Sequence, residues 1–470
     1  MRYVVKIVIT LLAWSAASHA STILVPDDDP TIQGGINLAA VGDTVQVACG
    51  TYDEINIQMK SGVVLRGQPE QPDCVVIDCQ NSGSGIICGT VDDTTVITGL
   101  TITNAFDSAM KLTQSPVRIS HVRFVDNESY FGGGIACTSS DAVIEHCLFQ
   151  DNMGYGDGAI SAYGSALSIS DCDFIRNRGY VDGPGAIWCR YSSPTITRCR
   201  FIDNLSDTFA GAVFAFDSSS LTIIDCTFAG NSAPDDPGAI SYPAWDAGLQ
   251  VITGSTFYGN EGSSTIRVGI AELSISNCII AGNLAPAFAV TDSIPSINCT
   301  DIHGNEGGDW TAPIADQLGQ DGNIDLDPLF CAAAEGDLGL ATASPCAPAG
   351  AGDCGLMGAW PVACDIPTGM NDHAALPQRL TLSPCNPNPF NPTTTISYHL
   401  PADGVVSVEI YDVAGRLVRV LARNERQESG RRDMVWRGRD DAGRQVSSGV
   451  YLCRLVVDGQ VLARPMALVR

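Results

Sequence analysis

The residues with chemical potential in this chain recur at regular spacing. The carboxylates Asp151, Asp171, Asp173, Asp203 and Asp225 stand among the guanidinium groups of Arg176, Arg190, Arg198 and Arg200. Two carboxyls held close together can divide general-acid and general-base work between them. Asp173 and Arg200 share one register of a repeating segment, as do Asp171 and Arg198, so salt links on a solvated face compete with that reading. Histidine is scarce: after the first 20 residues only His121, His146, His303, His373 and His399 remain. Cys147, Cys172, Cys199 and Cys226 repeat as well. Thiols can bind metal or do redox chemistry, but one Cys per repeat without a Cys-x-x-Cys pair does not present tetrahedral spacing, which favours core packing. Asp321, Asn323, Asp325 and Asp327 alternate in a way that could hold Ca²⁺. The Gly and Glu that an EF-hand loop needs are replaced by Leu326 and Ala332, so turn capping competes. Tyr130-Phe131, Tyr155, Tyr163, Tyr180 and Tyr191 lie in the segments between repeats. Such rings can stack on sugar faces or pack on the next repeat.

The elements that position these groups follow from a period. Asn127, Asn152, Asn177, Asn204, Asn231, Asn260 and Asn283 each end a β-branched or aromatic segment, and a weaker copy ends at Asn104. The steps are 23, 25, 25, 27, 27, 29 and 23 residues. A Phe stands three residues before the Asn in six copies, including Phe149, Phe174, Phe201 and Phe228. A period in this range means stacked repeats. Each unit alternates at period 2 and ends in Gly-rich corners such as Gly132-Gly133-Gly134, with no helical periodicity between Asn104 and Asn283. The expected fold is all-β: a right-handed parallel β-helix solenoid of roughly ten coils over residues 41–305, with equivalent residues about 4.8 Å apart. Phe and Cys then point inward, the Cys column stays as free thiols, and each Asn sits at a left-handed turn and bonds the Asn of the next coil.

Composition and charge narrow the partners. Net charge is −26; residues 381–470 hold 12 Arg against 9 Asp and Glu, net +3, leaving −29 for the rest. Such a surface repels nucleic acid and anionic membranes, and repels polyuronates unless Ca²⁺ bridges them. Residues 1–20 read as a secretory signal: Arg2 and Lys6, an apolar Val4 to Trp14, then Ser18-His19-Ala20. No later stretch is long enough for a spanning helix, so the mature chain is expected to be secreted, extracellular or at the cell surface.

Pro30 to Ala40 opens a short helix that would cap the first coil. That stretch, with Gly42-Asp43-Thr44-Val45, Gly50-Thr51-Tyr52, Val64-Leu65-Arg66-Gly67, Val76-Ile77-Asp78 and Ile97 to Ile102, resembles the start of secreted pectin-lyase-like right-handed β-helix proteins. The resemblance covers about residues 22–305, giving a β-helix over 21–305. It implies fold rather than activity, because the fold hosts lyases, hydrolases, epimerases, adhesins and inert surface proteins. Residues 306–364 look like the C-terminal cap of the same proteins, and Cys331, Cys346, Cys354 and Cys364 are disulfide candidates there. Residues 365–380 read as a linker. About seven alternating strands in 381–470 fit a small β-sandwich. Pro387 to Pro392, Ile410 to Arg416, Trp436 to Asp440 and Ser448-Gly449-Val450-Tyr451 resemble the flagellar-hook-cap-type Ig-like domain, which overlaps in pattern with type IX secretion sorting domains. That resemblance implies a bacterial export or attachment module that engages secretion machinery.

Lyases of this fold use Ca²⁺-holding carboxylate clusters with an Arg or Lys base, and no such signature is legible. The expected function is a non-catalytic surface β-helix protein that binds a polysaccharide or another cell-surface component. A polysaccharide lyase or glycoside hydrolase and a purely structural envelope protein are the alternatives. No cofactor is expected beyond the Ca²⁺ just considered.

Overall fold

A computed structural model describes residues 20–181, 183–243, 248–270, 272–365, 381–382, 390–400, 403–412, 415–427, 430–457 and 460–469. The signal-like segment before Ala20 and nearly all of the linker-like stretch lie outside them, as do Pro387 to Pro389. Two compact units are present, and each is described by itself.

The first unit is a parallel β-solenoid of about 13 turns. The expected count of roughly ten covered residues 41–305 alone, and the solenoid begins earlier, at Thr22–Val25. The first coils, through Thr22–Val25, Thr44–Val47 and Val64–Arg66, carry neither the Asn nor the Phe that marks the middle ones. The helix Ile32–Leu38 stands beside the first strands, with the Thr31 side chain capping it by accepting from the Gly34 N–H. Among the described residues three sheets run along the solenoid. The largest takes two consecutive strands from most coils, a second takes one strand per coil from Ile57–Gln58 to Phe288–Val290, and a short four-stranded sheet joins Glu128–Phe131, Met153–Asp157, Arg178–Gly179 and Leu205–Ser206.

Pairing is in register wherever the repeat is clean: Phe124 on Phe149, Phe149 on Phe174, Phe174 on Phe201, Phe201 on Phe228 and Phe228 on Phe257. The rings are fully buried and stack at 4.6–4.8 Å. In-register parallel strands impose that spacing, and flat rings fill it without voids.

Polar ladders close the corners. The Asn127 amide donates to Asn152 Oδ1 at 3.0 Å and to the Ile102 carbonyl, while its backbone N–H donates to the same Oδ1. The pattern repeats through Asn152, Asn177, Asn204, Asn231, Asn260 and Asn283 and ends on Asn305. The conformational reason differs from the expected one. The left-handed residue is the one before each Asn: Asp126, Asp151, Arg176 and Asp203 have φ between 52 and 55°. Asn104 belongs to this left-handed column, and Ala105 takes the ladder position beneath Asn127.

The Cys column is a second ladder. The Cys199 N–H donates to Cys226 Sγ, the Cys226 N–H to Ser255 Oγ, the Cys278 N–H to Thr300 Oγ1 and the Thr300 N–H to Asn323 Oδ1. The position requires a small acceptor that also donates to a carbonyl, as Cys226 does to Ile224. Cys147, Cys172, Cys199 and Cys226 are buried and unpaired, and burial raises the pKa of Cys172 and Cys226. Cys226→Ser is therefore expected to cost at most about 1 kcal/mol, whereas Cys226→Val, which strands the Cys199 N–H, should cost about 2–3 kcal/mol. Urea denaturation of the two variants checks the difference, and equal losses would rule out the acceptor role. A third ladder of buried hydroxyls, Ser115, Ser140, Ser165, Ser192 and Ser219, joins successive coils at 3.0–3.2 Å.

The second unit holds seven antiparallel strands among its described residues, in a three-stranded and a four-stranded sheet. Its core gathers Phe390, Tyr398, Ile410, Trp436, Cys453 and Leu455.

Candidate functional site

Three of the five carboxylates that could do acid–base work are tied to arginines of neighbouring coils. Arg176 forks onto Asp151 at 2.7 and 2.8 Å, Arg198 onto Asp171 at 2.7 and 2.8 Å, and Arg200 onto Asp173 at 2.6 Å. Arg190 reaches Asp217. The Asp171 carboxyl is held below its ordinary range by the Arg198 hydrogen bond. A carboxylate clamped this way is a poor proton shuttle. Asp225 occupies a left-handed turn beside the Cys column.

The alternating set in 321–327 divides its side chains between different partners. Asn323 is the ladder member described above; its amide donates to Ile297 O and Gln317 O. Asp325 pairs with His303 Nδ1 at 2.8 Å, Asp327 accepts from the Leu329 N–H, and Asp321 holds a left-handed turn. Among the described residues no group of three or more His, Cys, Asp or Glu could hold a metal. Of the four residues read as ligands, Asn323 is buried while Asp321, Asp325 and Asp327 are exposed.

The Cys-rich segment pairs differently from the candidate set. The disulfides are Cys331–Cys364, Cys299–Cys354 and Cys49–Cys74. Cys346 is a correction, being free and buried, because its Sγ lies 3.2 Å from Asp301 Oδ2 and serves as that carboxylate's donor. Cys49, Cys74 and Cys299 were missed. Each lies within the solenoid away from the Gly/Pro/Ala-rich stretch, and its partner reaches it only through the fold.

What the repeat does bring together is aromatic. Tyr130, Tyr155 and Tyr180 each stand three residues after a ladder Asn on three consecutive coils, with a bulge between Ser129 and Phe131 shifting the pairing at Tyr130. They are 63, 38 and 45% exposed. Tyr155 and Tyr180 meet edge to face at 5.7 Å, Tyr130 and Phe131 at 4.7 Å. The Arg178 guanidinium lies 5.0 Å over the Tyr180 ring and is anchored by Asp207. The Glu128 charge raises the Tyr155 phenol, which it also hydrogen-bonds. A second pair, Tyr163 and Tyr191, meets at 5.7 Å, with Arg190 5.3 Å from the Tyr191 ring. The constant offset from the Asn was the signal that sequence reading left unused.

The comparisons agree with this architecture. Residues 84–261 match the right handed beta helix region family. Residues 391–459 match the FlgD Ig-like domain. No curated protein matches the chain. Among solved structures, the chain is similar to PorZ, an essential bacterial surface component of the type-IX secretion system of Porphyromonas gingivalis: 26% identity over 19% of this chain and 11% of that one, TM-score 0.15. It is also similar to a mutant of the PL6 family alginate lyase AlyGC, at 11% identity over 66% of this chain and 54% of that one, TM-score 0.33. The chain thus spans about half of the lyase and about a tenth of PorZ, and neither likeness is close enough to transfer chemistry. No helix among the described residues is long and apolar enough to cross a membrane.

Proposed function

We propose that this is an exported β-helix protein, displayed at the cell surface, that binds an extended uncharged glycan along Tyr130, Tyr155 and Tyr180 without cleaving it. The observation that carries the reading is an exposed ring three residues after the ladder Asn on each of three successive coils. Scattered exposed apolar residues are ordinary, but a contiguous exposed aromatic patch marks an interaction surface. Rings repeated along the axis suit a polymer that lies parallel to it. The charge of −29 outside residues 381–470 disfavours an anionic polymer. The arginine-clamped carboxylates support binding without turnover. The signal-like first 20 residues and the three disulfides support export. The Ig-like domain is the module that would hold the protein at the surface through the secretion machinery.

Affinity electrophoresis in gels containing neutral or anionic polysaccharides tests the reading. Each ring is expected to contribute about 1 kcal/mol, about fivefold in Kd, so the triple Tyr130→Ala, Tyr155→Ala, Tyr180→Ala variant should bind about 100-fold more weakly. Unchanged retardation of a folded triple variant would remove the stripe from the binding surface.

A further inference from the structure

A second set of exposed rings lies on another face of the same coils. Tyr163 ends the strand Ile160–Tyr163 and pairs in register with Arg190, which pairs with Phe216 on the next coil. Tyr163 and Tyr191 are 45 and 47% exposed. The Arg190 guanidinium lies 5.3 Å from the Tyr191 ring and 5.9 Å from the Phe216 ring, and its Nε donates to Asp217 at 2.7 Å. Trp188 stands two residues before Arg190 on the strand Ile187–Arg190, so it shares the outward face, half-buried. Rings and guanidinium thus hold one another in place across three coils.

Nothing in the local backbone asks for a tyrosine at 191. The residue after each strand of this row is left-handed: Ser139, Gly164 and Tyr191 have φ of 49, 58 and 51°. Glycine, used in the preceding coil, takes that conformation freely, whereas a bulky side chain is strained there. Tyr191 is nevertheless about half exposed, so burial in the core does not account for it. Strain of this kind persists where a side chain has work to do.

The patch is separate from Tyr155 and Tyr180. Within one coil every residue from Asp157 to Ala162 is buried, so a covered strip divides the two sets of rings. Each set continues from coil to coil along the solenoid axis, and the two form parallel tracks. The chemistry of the second suits a neutral sugar chain. Asp217 balances the Arg190 charge inside the patch, and the acidic surface around it disfavours an anion. Tyrosine rings with hydroxyl groups at their edge match a sugar's apolar C–H face and its hydroxyl rim.

We infer that Tyr163, Trp188, Arg190, Tyr191 and Phe216 form a second neutral-glycan track, so that one chain holds two glycan strands side by side and cross-links them. The inference rests on the glycan reading of Tyr130, Tyr155 and Tyr180 and adds a second site to it.

The probes are glucomannan and dextran, as long polymers and as hexasaccharides. With the polymer that binds, the wild-type protein should raise low-shear viscosity, and calorimetry with its hexasaccharide should give two sites per chain. Tyr163→Ala combined with Tyr191→Gly should leave one site and abolish the rise in viscosity. The melting temperature should not fall, because both side chains are exposed and glycine suits the left-handed position. Tyr155→Ala combined with Tyr180→Ala should also leave one site and abolish the rise. A single wild-type site that is lost only in the Tyr155 and Tyr180 variant overturns the second track and leaves the first standing. No wild-type binding of either probe removes both. Self-association without glycan that the Tyr163 and Tyr191 variant abolishes would make the patch a contact between copies of this chain, which also overturns the inference.

Discussion

Phe201→Ala is expected to destabilise the solenoid by about 3–5 kcal/mol. The ring is fully buried between Phe174 at 4.7 Å and Phe228 at 4.6 Å, with planes within 4° of parallel. Its neighbours are held in place by the pairing of Arg200 to Ile202 with both adjacent coils, so they cannot collapse into the space. Solenoid stability is approximately a sum over nearest-neighbour interfaces, and this substitution weakens two of them. Calorimetry that resolves the solenoid transition from that of the Ig-like unit measures the loss. A change below about 1 kcal/mol would mean that the stack does not carry the core.

The second large effect is a stability that falls as pH rises. Asp301 is fully buried, accepts from the Leu326 N–H and from Cys346 Sγ, and has His303 and Asp325 as its charged neighbours. Burial outweighs these and pushes its carboxyl up to about 7, against 3.8 for an exposed aspartate. Between those values the folded chain holds a proton that the unfolded chain has released, so unfolding becomes easier as pH rises. The loss amounts to about 3–4 kcal/mol between pH 4 and pH 8. Asp301→Asn should flatten that slope and be the more stable form at pH 8. Urea midpoints at four pH values, in chelator so that no cation contributes, check it. A wild-type slope of the opposite sign, unchanged in the variant, would contradict the assignment.

Much of the fold was legible because a solenoid writes its cross-section along the chain. Phe149, Phe174, Phe201 and Phe228 keep one offset from their Asn because in-register parallel pairing permits no slip. The same logic was present but unread at Ser115, Ser140, Ser165, Ser192 and Ser219. Serine is common in turns, and nothing marks these as inward. Asn104 was placed in the wrong column because Asn suits both the ladder and the left-handed turn beside it. Asn323 looked like a ligand because an alternation of acidic and amide residues is the same pattern whether a given side chain faces solvent or the core. The pairings of Cys49 and Cys299 depend on coil stacking and return of the later segment, which local spacing does not encode. Of the candidate site, the tyrosines were visible as residues. Which of them meet, as Tyr155 and Tyr180 do, required the register.

The most direct test of the functional account is one experiment with two readouts. Full-length mature protein is incubated with soluble neutral glycans and with polyuronates, with and without Ca²⁺, recording both the binding isotherm and the release of reducing ends or unsaturated products. The account predicts saturable binding to a neutral glycan, weaker or no binding to polyuronates, and no product from any of them. Turnover of any polymer, or binding that favours a polyuronate, would contradict it.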